Sequence, residues 1–366
     1  MNNLIIRTKN YIKDNSKYLP VVFFICGFIF DSLTLGRIDR LYDLTILSLH
    51  MVSLTVMLYL YNLADDGKWN NTFLEKYEKY LPLAIQFYFG ALSSAYVIYF
   101  SRSVSLSKTI SFFIILVGLL IANEFLKQRI SNKYLQFSVF FFINFTFSTF
   151  MLPVFMKEMN TEIFILSGLL SLIFTLIVLV GIYRLSPSTR LEIHIGKMLS
   201  IIFTMYLAIN LFYYLRLIPP VPLALDEGIV AHEVVKDNGN YLVTYEDDDW
   251  WVFWRDHRPN YSYKTGQNVY IFTSIFAPTD IEKTITHRWN WYDKKAEEWV
   301  TVDEISYKIT GGRDAGYRGY SFKNNVKQGD WEVEVITEEG LILGVIDFEL
   351  IVNNTEKPKR LVEQVF

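Results

Sequence analysis

The stretch GGRDAGYRGYSFK, residues 311–323, places two arginines among four glycines and two tyrosines. The planar donor forks of Arg313 and Arg318 suit a carboxylate or a phosphate. Glycines permit turns and let backbone N–H groups come close to an anion. The same residues could instead form a bend between two strands, with the arginines pinned by Asp314, Asp303 or Glu304. Both interpretations are open from the sequence.

A second group of side chains that could contact a ligand lies in ITHRWNWY, residues 285–292. Seven of the eight tryptophans follow residue 225, and flat aromatic faces beside polar groups can hold a sugar. The alternative is that Trp289, Trp291 and Trp331 fill a core while the others rest on a membrane surface. Our candidate ligand-binding residues are Arg313, Tyr317, Arg318, Tyr320, His287 and Trp289.

Motifs for catalysis or metal binding are incomplete in this sequence. HEVVK, residues 232–236, begins like a zinc-protease helix but has lysine where the second histidine is needed. His232, His257 and His287 have no spacing typical of a metal site, and Cys26 is the only cysteine. We therefore expect no metal, no cofactor, no nucleic-acid partner and no catalytic residue.

Charge and hydropathy divide the chain into two parts that must position these residues. Residues 1–225 carry 19 Lys and Arg against 12 Asp and Glu, whereas residues 226–366 carry 16 against 26. The first part also holds nearly all the long apolar runs. We predict a helical membrane domain over residues 1–217, a proline-rich spacer over 218–225 and a soluble domain over 226–366.

Seven runs in the first part are long and apolar enough to cross a bilayer, which takes ~20 residues. They cover residues 18–36, 42–63, 81–100, 109–126, 135–155, 163–183 and 198–217. We expect Asn144 and Asn210, within two of these runs, to bond neighbouring helices.

Lysine and arginine positions predict the orientation of these spans. With the N-terminus in the cytoplasm, the inner segments hold 13 of these residues and the short outer loops hold 5. Seven spans then place residues 226–366 outside the cytoplasm. We predict a multi-pass protein of the bacterial inner membrane with a periplasmic C-terminal domain and membrane lipids as neighbours.

The soluble part contains short runs of β-favouring residues separated by turns. These runs cover residues 268–278, 285–292, 305–310, 331–337 and 341–352, and Glu338–Glu339–Gly340 reads as a hairpin turn between the last two. Side chains alternate between two faces in several of them. The spacing predicts an antiparallel β-sandwich of immunoglobulin-like type.

The segments IFAPTDIEKTITHRWNWYD, GGRDAGYRGYSFK and GDWEVEVITEEGLILGVIDFEL resemble a bacterial family known as domain of unknown function 2914. The resemblance covers roughly residues 268–352. It implies a domain that commonly follows membrane helices, and it implies no activity, ligand or catalytic residue.

Two functions of different classes fit the sequence. The first is a membrane-anchored, non-enzymatic module whose external sandwich binds an envelope component, such as a glycan, a lipid headgroup or a partner protein. The second is a membrane-embedded enzyme or transporter of envelope precursors in which the sandwich is an accessory domain.

Overall fold

The structure is a computed structural model, and the chain divides into two compact units. One is drawn from residues 1–99, 113–151 and 165–211, and the other from 100–112, 152–164 and 212–366. The residues that the structure describes are 35, 41–101, 114–118, 132–218, 223–237, 239–248, 258–277, 282–310, 316–324, 326–352 and 360–366.

The first part of the chain is helical. Its elements are α1 (Leu41–Ala64), a 3₁₀ helix (Glu75–Tyr80), α2 (Leu81–Ser101), α3 (Lys133–Met156), α4 (Thr161–Leu185), α5 (Pro187–Glu192) and α6 (Ile195–Tyr214).

Five helices among the described residues are long and apolar enough to cross a membrane. They correspond to five of the seven predicted spans. The predicted span at 18–36 lies outside the described residues, and only 114–118 of the span at 109–126 is described, as helix. The count of seven therefore stays a prediction.

Small and polar side chains bring the long helices together. Asn144 on α3 donates to the Ser171 carbonyl of α4 at 2.9 Å, so the predicted interhelical contact is confirmed. Asn210 donates to the Tyr206 carbonyl of its own helix four residues earlier, and its contact with a neighbouring helix stays a prediction. At Gly168 a Cβ would lie 2.8 Å from the Phe145 ring, so this glycine permits close packing of α4 on α3.

The second part is a β-sandwich. Its strands are β1 (Ala224–Asp237), β2 (Asn240–Glu246), β3 (Asn260–Tyr263), β4 (Val269–Phe276), β5 (Glu282–Asp293), β6 (Glu298–Thr310), β7 (Tyr317–Lys323), β8 (Gly329–Thr337), β9 (Ile342–Val352) and β10 (Leu361–Val365). Sheet A has the order β10-β2-β1-β4-β7, and sheet B has the order β3-β9-β8-β5-β6.

The alternation read from the sequence places the core between the two sheets. Ile285, His287 and Trp289 point inward from β5, and Trp289 meets Trp331 edge to face with ring centroids 6.2 Å apart. A fully buried side chain of this size contributes roughly 2–3 kcal/mol through the area it removes from water. All five predicted β runs are strands.

Three features of the sandwich differ from the sequence predictions. The pair β3 and β9 is parallel, because the long chain path between them allows either direction. β1 starts at Ala224, inside the predicted spacer, because apolar residues follow the last proline. β7 forms from residues 317–323, which the sequence interpretation left in a glycine-rich loop, and pairs with β4 along its length.

One end of the sandwich adjoins the helix termini of its own unit. β1 follows α6 after nine residues. A Cβ on Gly340, in the β8–β9 turn, would lie 2.8 Å from the Arg216 guanidinium, and Met159 from the α3–α4 connection joins the sandwich core. We name this the helix-side end. β7 starts there and runs away from it, because it is antiparallel to β4, which is antiparallel to β1.

Candidate functional site

β7 is an edge strand of sheet A and sorts the predicted site residues between two faces. Ser321 and Gly319 point inward, where Ser321 bonds His287 and Gly319 lies under the Tyr307 ring. With a period of two residues, Arg318, Tyr320 and Phe322 point outward. The outer face of sheet A is therefore the part of the molecule where predicted site residues come together.

Four rings form a continuous patch on this outer face, and we call them the aromatic row: Tyr241, Tyr270, Tyr320 and Phe322. Tyr270 lies 6.1 Å from Tyr320 and 5.5 Å from Phe322, measured between ring centroids. Phe322 is 50% exposed, and Tyr270 and Tyr320 are half-buried. The row is thus open to a ligand along β7, while Phe272 beneath it is fully buried and holds it in place.

Arg318 lies beside the aromatic row, opposite Ser274 of β4. Its Nε atom is enclosed and meets no hydrogen-bond acceptor among the described residues. Arg318 as a whole is half-buried, so it contributes both its charge and part of its surface to the outer face.

The carboxylates that could have pinned Arg318 are engaged elsewhere. Asp303 accepts from Lys323 at 2.9 Å, and Glu304 accepts from Arg288 at 2.6 Å. The structure therefore contains no ion pair of Arg318 with Asp303 or Glu304, which was one of the two interpretations of this stretch. Arg313 and Asp314 lie outside the described residues.

The structure explains why residue 316, one of the four glycines in the stretch, is a glycine. It has a φ of +70°, and a Cβ there would lie 2.8 Å from Ser274 Oγ and 3.1 Å from the Ile275 carbonyl. The residue must be glycine for both reasons. It brings the start of β7 close to β4 and so sets the position of Arg318.

His287 and Trp289 are enclosed, each with 0% exposure. His287 Nδ1 lies 2.8 Å from Ser321 Oγ, and its Nε2 lies 3.2 Å from Thr273 Oγ1. Trp289 Nε1 donates to the same Ser321 hydroxyl at 3.1 Å. These bonds satisfy the polar atoms inside the core, so neither side chain contacts a ligand at the surface and we withdraw both from the candidate site.

Burial lowers the pKa of His287 to about 3, because the low-dielectric core disfavours the charged imidazole. Burial likewise raises the pKa of Tyr307, whose hydroxyl lies 3.1 Å from His287 Nε2. The network is therefore neutral and structural at physiological pH.

Tyr317 also belongs to the inner side. It packs against the core and stacks near-parallel on Tyr307, with centroids 6.5 Å apart. Of the six predicted site residues, Arg318 and Tyr320 share the outer face, three face inward, and Arg313 is outside the described residues.

A histidine–carboxylate pair between the sheets was missed by the sequence interpretation. His232 is the extra residue of a β-bulge, where Ala231 pairs with Tyr245 and Glu233 pairs with Thr244. Bulges re-aim side chains, and His232 Nε2 lies 3.0 Å from the buried Glu246 carboxylate.

Glu246 is held by several donors. Burial acts to raise the pKa of Glu246, but hydrogen bonds from His232 and the Ser262 N–H outweigh it and lower that pKa. The carboxylate therefore stays ionised, ties β2 to β3 and orients His232. A histidine in β1 and a glutamate ending β2 share no local sequence pattern, so only the strand register could have revealed them.

A second polar cluster that sequence did not predict lies in the helical unit. Lys133, whose side chain is 1% exposed, contacts Asp65 at 3.1 Å and Glu192 at 3.2 Å. It also donates to Thr189 Oγ1 at 3.1 Å. We call these four residues the Lys133 cluster. The cluster joins the α1–α2 connection, the start of α3 and the short helix α5, which lie far apart in sequence.

Groups of three or more His, Cys, Asp or Glu side chains suited to a metal ion are not found in the described ranges.

Together these features define a class: apolar helices followed by a β-sandwich that resembles the immunoglobulin-like type. Within the sandwich, residues 282–350 match the sequence model of a family described as Protein of unknown function (DUF2914), which confirms the resemblance for that region. The matched segment runs from β5 to β9 and includes Arg318 and Tyr320.

Solved structures give low-scoring likenesses. An immunoglobulin-like protein from Pseudomonas aeruginosa is 12% identical, with a TM-score of 0.20, over 32% of this chain and 97% of that one. A β-glucosidase from Listeria innocua is 13% identical, with a TM-score of 0.18, over 24% of this chain and 14% of that one. At these scores the likenesses carry no functional argument. No curated protein matches the chain.

Proposed function

We propose that this protein is a membrane-anchored binding module whose sandwich holds an envelope component on the outer face of sheet A. The face consists of Arg318 and the aromatic row. A glycan, a lipid headgroup and a partner protein are the three ligand classes that such a face could take. The module acts by capture, without catalysis.

The observation that carries this proposal is that the Arg318 side chain has no hydrogen-bond or ion-pair partner among the described residues. Its Nε is enclosed without an acceptor, while the other arginine of the sheets in the matched region, Arg288, is bonded to two carboxylates. No ion pair joins Arg318 to a carboxylate of the described residues, so its charge is available to an anion that binds from outside the chain. The open rings beside it supply apolar contact area.

Comparative retention tests the proposal. Wild-type protein and the variants Arg318→Gln and Lys308→Gln would be purified in parallel from native membranes and analysed by native mass spectrometry. Lys308 is an exposed cation on β6 and serves as the matched control. We expect a bound envelope species that wild type and Lys308→Gln retain and that Arg318→Gln loses. Equal retention of the bound species by all three proteins would contradict the proposal.

We place the sandwich outside the cytoplasm, in the periplasm of a bacterium with an inner membrane. The charge asymmetry of 13 against 5 supports this orientation. The Lys133 cluster supports the predicted alternation of the spans, because it joins three segments that this alternation puts on one side, and the charge asymmetry alone supports the choice of side.

Single cysteines would test this orientation. In a Cys26→Ala background, Lys295→Cys lies in the exposed β5–β6 turn and Lys68→Cys in the α1–α2 connection. We expect a membrane-impermeant maleimide to label Lys295→Cys in intact spheroplasts and to label Lys68→Cys only after lysis. The reverse pattern would contradict the orientation.

One observation favours the alternative, a membrane-embedded enzyme or transporter. The Lys133 cluster gathers a buried amine and two carboxylates, the residue types that move protons or bind charged substrates in membranes. Proteoliposomes loaded with a pH-sensitive dye would distinguish the two functions. A transporter coupled to protons would collapse an imposed pH gradient, and Lys133→Met would abolish this. The binding module predicts the same slow leak from both proteins.

A further inference from the structure

We propose that the ligand of this face is an acidic glycan, a saccharide chain that carries carboxylate or phosphate groups. This inference rests on the proposed function and names the ligand class of the same site. It follows from the chemistry of the aromatic row, the charge of Arg318 and the direction of β7.

The rings of the row suit a sugar because they combine flat apolar surface with hydroxyl groups. The C–H faces of a pyranose are apolar, while its hydroxyls need donors and acceptors. Tyr320 and Tyr270 offer a ring and a phenolic oxygen each, and Asn268 Nδ2 lies 3.3 Å from the Tyr270 hydroxyl and fixes its place. A face built to bind only an apolar protein surface would not need these hydroxyls.

Arg318 adds a requirement for negative charge. Its guanidinium presents donors in one plane, the geometry that a carboxylate or phosphate accepts in pairs. A neutral sugar hydroxyl would form a weaker bond with it than an ionised group. The nearest acidic residue in register is Glu227, two strands away on β1, with Ser274 between them. The Arg318 end of the row is thus where an acidic substituent would be held.

The direction of β7 favours a chain over a compact headgroup. Arg318 lies near the helix-side end, and Phe322 lies four residues farther along the strand. At ~3.3 Å per residue this separation is roughly 13 Å. A compact headgroup bound at Arg318 would not reach Phe322, whereas an extended saccharide would contact Arg318, Tyr320 and Phe322 in succession.

The test uses the full chain in nanodiscs of phosphatidylcholine and isothermal titration calorimetry. The probes are polygalacturonate, a phosphomannan, neutral dextran and inorganic phosphate. The variants are Arg318→Gln, Tyr320→Ala and Tyr320→Phe, with Lys308→Gln as the control. We expect one acidic polysaccharide or both to bind wild type and Lys308→Gln. Arg318→Gln and Tyr320→Ala should each weaken this binding at least tenfold, and Tyr320→Phe, which keeps the ring, should weaken it less.

Other results overturn the inference and separate it from the proposed function. Binding of dextran as tight as that of the acidic chains would remove the charge requirement. Binding of phosphate alone with the affinity of the polysaccharides would identify a small-anion site. If neither acidic polysaccharide binds while native membranes still yield a species that depends on Arg318, the glycan inference fails and the binding module stands. If no Arg318-dependent species exists, both fail.

Discussion

Arg318 and Arg288 occupy the outer faces of the two sheets and differ in what surrounds them. Arg288, on sheet B, donates to Glu304 at 2.6 Å and to Glu334 at 3.3 Å, and the hydrogen bond to Glu304 raises its pKa. Arg318, on sheet A, has an enclosed Nε that meets no acceptor in the described part of the chain. One arginine is saturated by its own protein, and the other is not.

The difference separates an arginine that joins strands from one that the proposed binding function uses. Glu304 and Glu334 lie on the strands on either side of Arg288 and neutralise its charge. The arginine therefore joins β5 to β6 and β8. Among the described residues, Arg318 lies opposite Ser274 and two residues from Tyr320 on the same face. A guanidinium in that setting contributes little to folding and is available to a ligand.

The largest expected effect on stability belongs to Trp289, which the structure places in the core. Trp289→Ala should lower the free energy of unfolding of the sandwich by ~3–5 kcal/mol, because it leaves a large cavity. Urea unfolding of the full chain in nanodiscs, followed by tryptophan fluorescence, measures this, since seven of the eight tryptophans lie in the sandwich part. Trp299→Ala is the control, because Trp299 is 43% exposed and should cost under ~1 kcal/mol. Similar losses for both variants would contradict the assigned core.

Acid should weaken the same core through His287. The folded-state pKa of about 3 lies below the value of 6.5 for an exposed histidine, so the folded protein favours neutral imidazole. The stability is complete above pH 6.5 and is lost as pH falls from 6.5 towards 3. At pH 4.5 the loss is about 3 kcal/mol relative to pH 7, at ~1.4 kcal/mol per pH unit.

The variant His287→Gln isolates this contribution, because glutamine does not titrate. Urea unfolding at pH 7 and pH 4.5 should show a smaller acid-induced loss in His287→Gln than in wild type. An equal loss in the two proteins would show that His287 is not the titrating group.

Arg288→Gln should have an intermediate effect. It leaves Glu334, whose side chain is 8% exposed, without its cation. The other pair, with Glu304, is more open to solvent and contributes less. We expect a loss of ~1–2 kcal/mol in the same unfolding measurement, with ligand retention unchanged. Loss of retention without loss of stability would reverse the roles that we assign to the two arginines.

The sequence predicted the strands well where their side chains alternate or form apolar runs. The run at 331–337 and the returning run at 341–352 flank Glu338–Glu339–Gly340, and the structure has a hairpin there. β7 was missed because glycines and arginines in its segment favour a loop, and only pairing with β4 makes it a strand.

The sequence predicts some residues of the candidate site, but it does not predict which face of the sheet each side chain occupies. Arg318 and Tyr320 share the outer face of β7 because they are two residues apart, and their role in binding stays a prediction. His287 and Trp289 were assigned with them because polar and aromatic residues at a strand look alike from sequence whether they face a core or solvent. The Lys133 cluster could be found only from three-dimensional contacts, since Asp65, Lys133 and Glu192 lie in segments that are distant in sequence.

The smallest expected effect on stability belongs to Arg318, and its measurement tests the central claim most directly. Arg318→Gln should change the free energy of unfolding by only ~0–1 kcal/mol, because Arg318 holds no ion pair with a carboxylate of the described residues. The same purified variant should lose the envelope species that wild type retains in native mass spectrometry. Arg318→Gln that unfolds readily, or that retains the species as well as wild type does, would contradict the claim that this arginine is held open for a ligand.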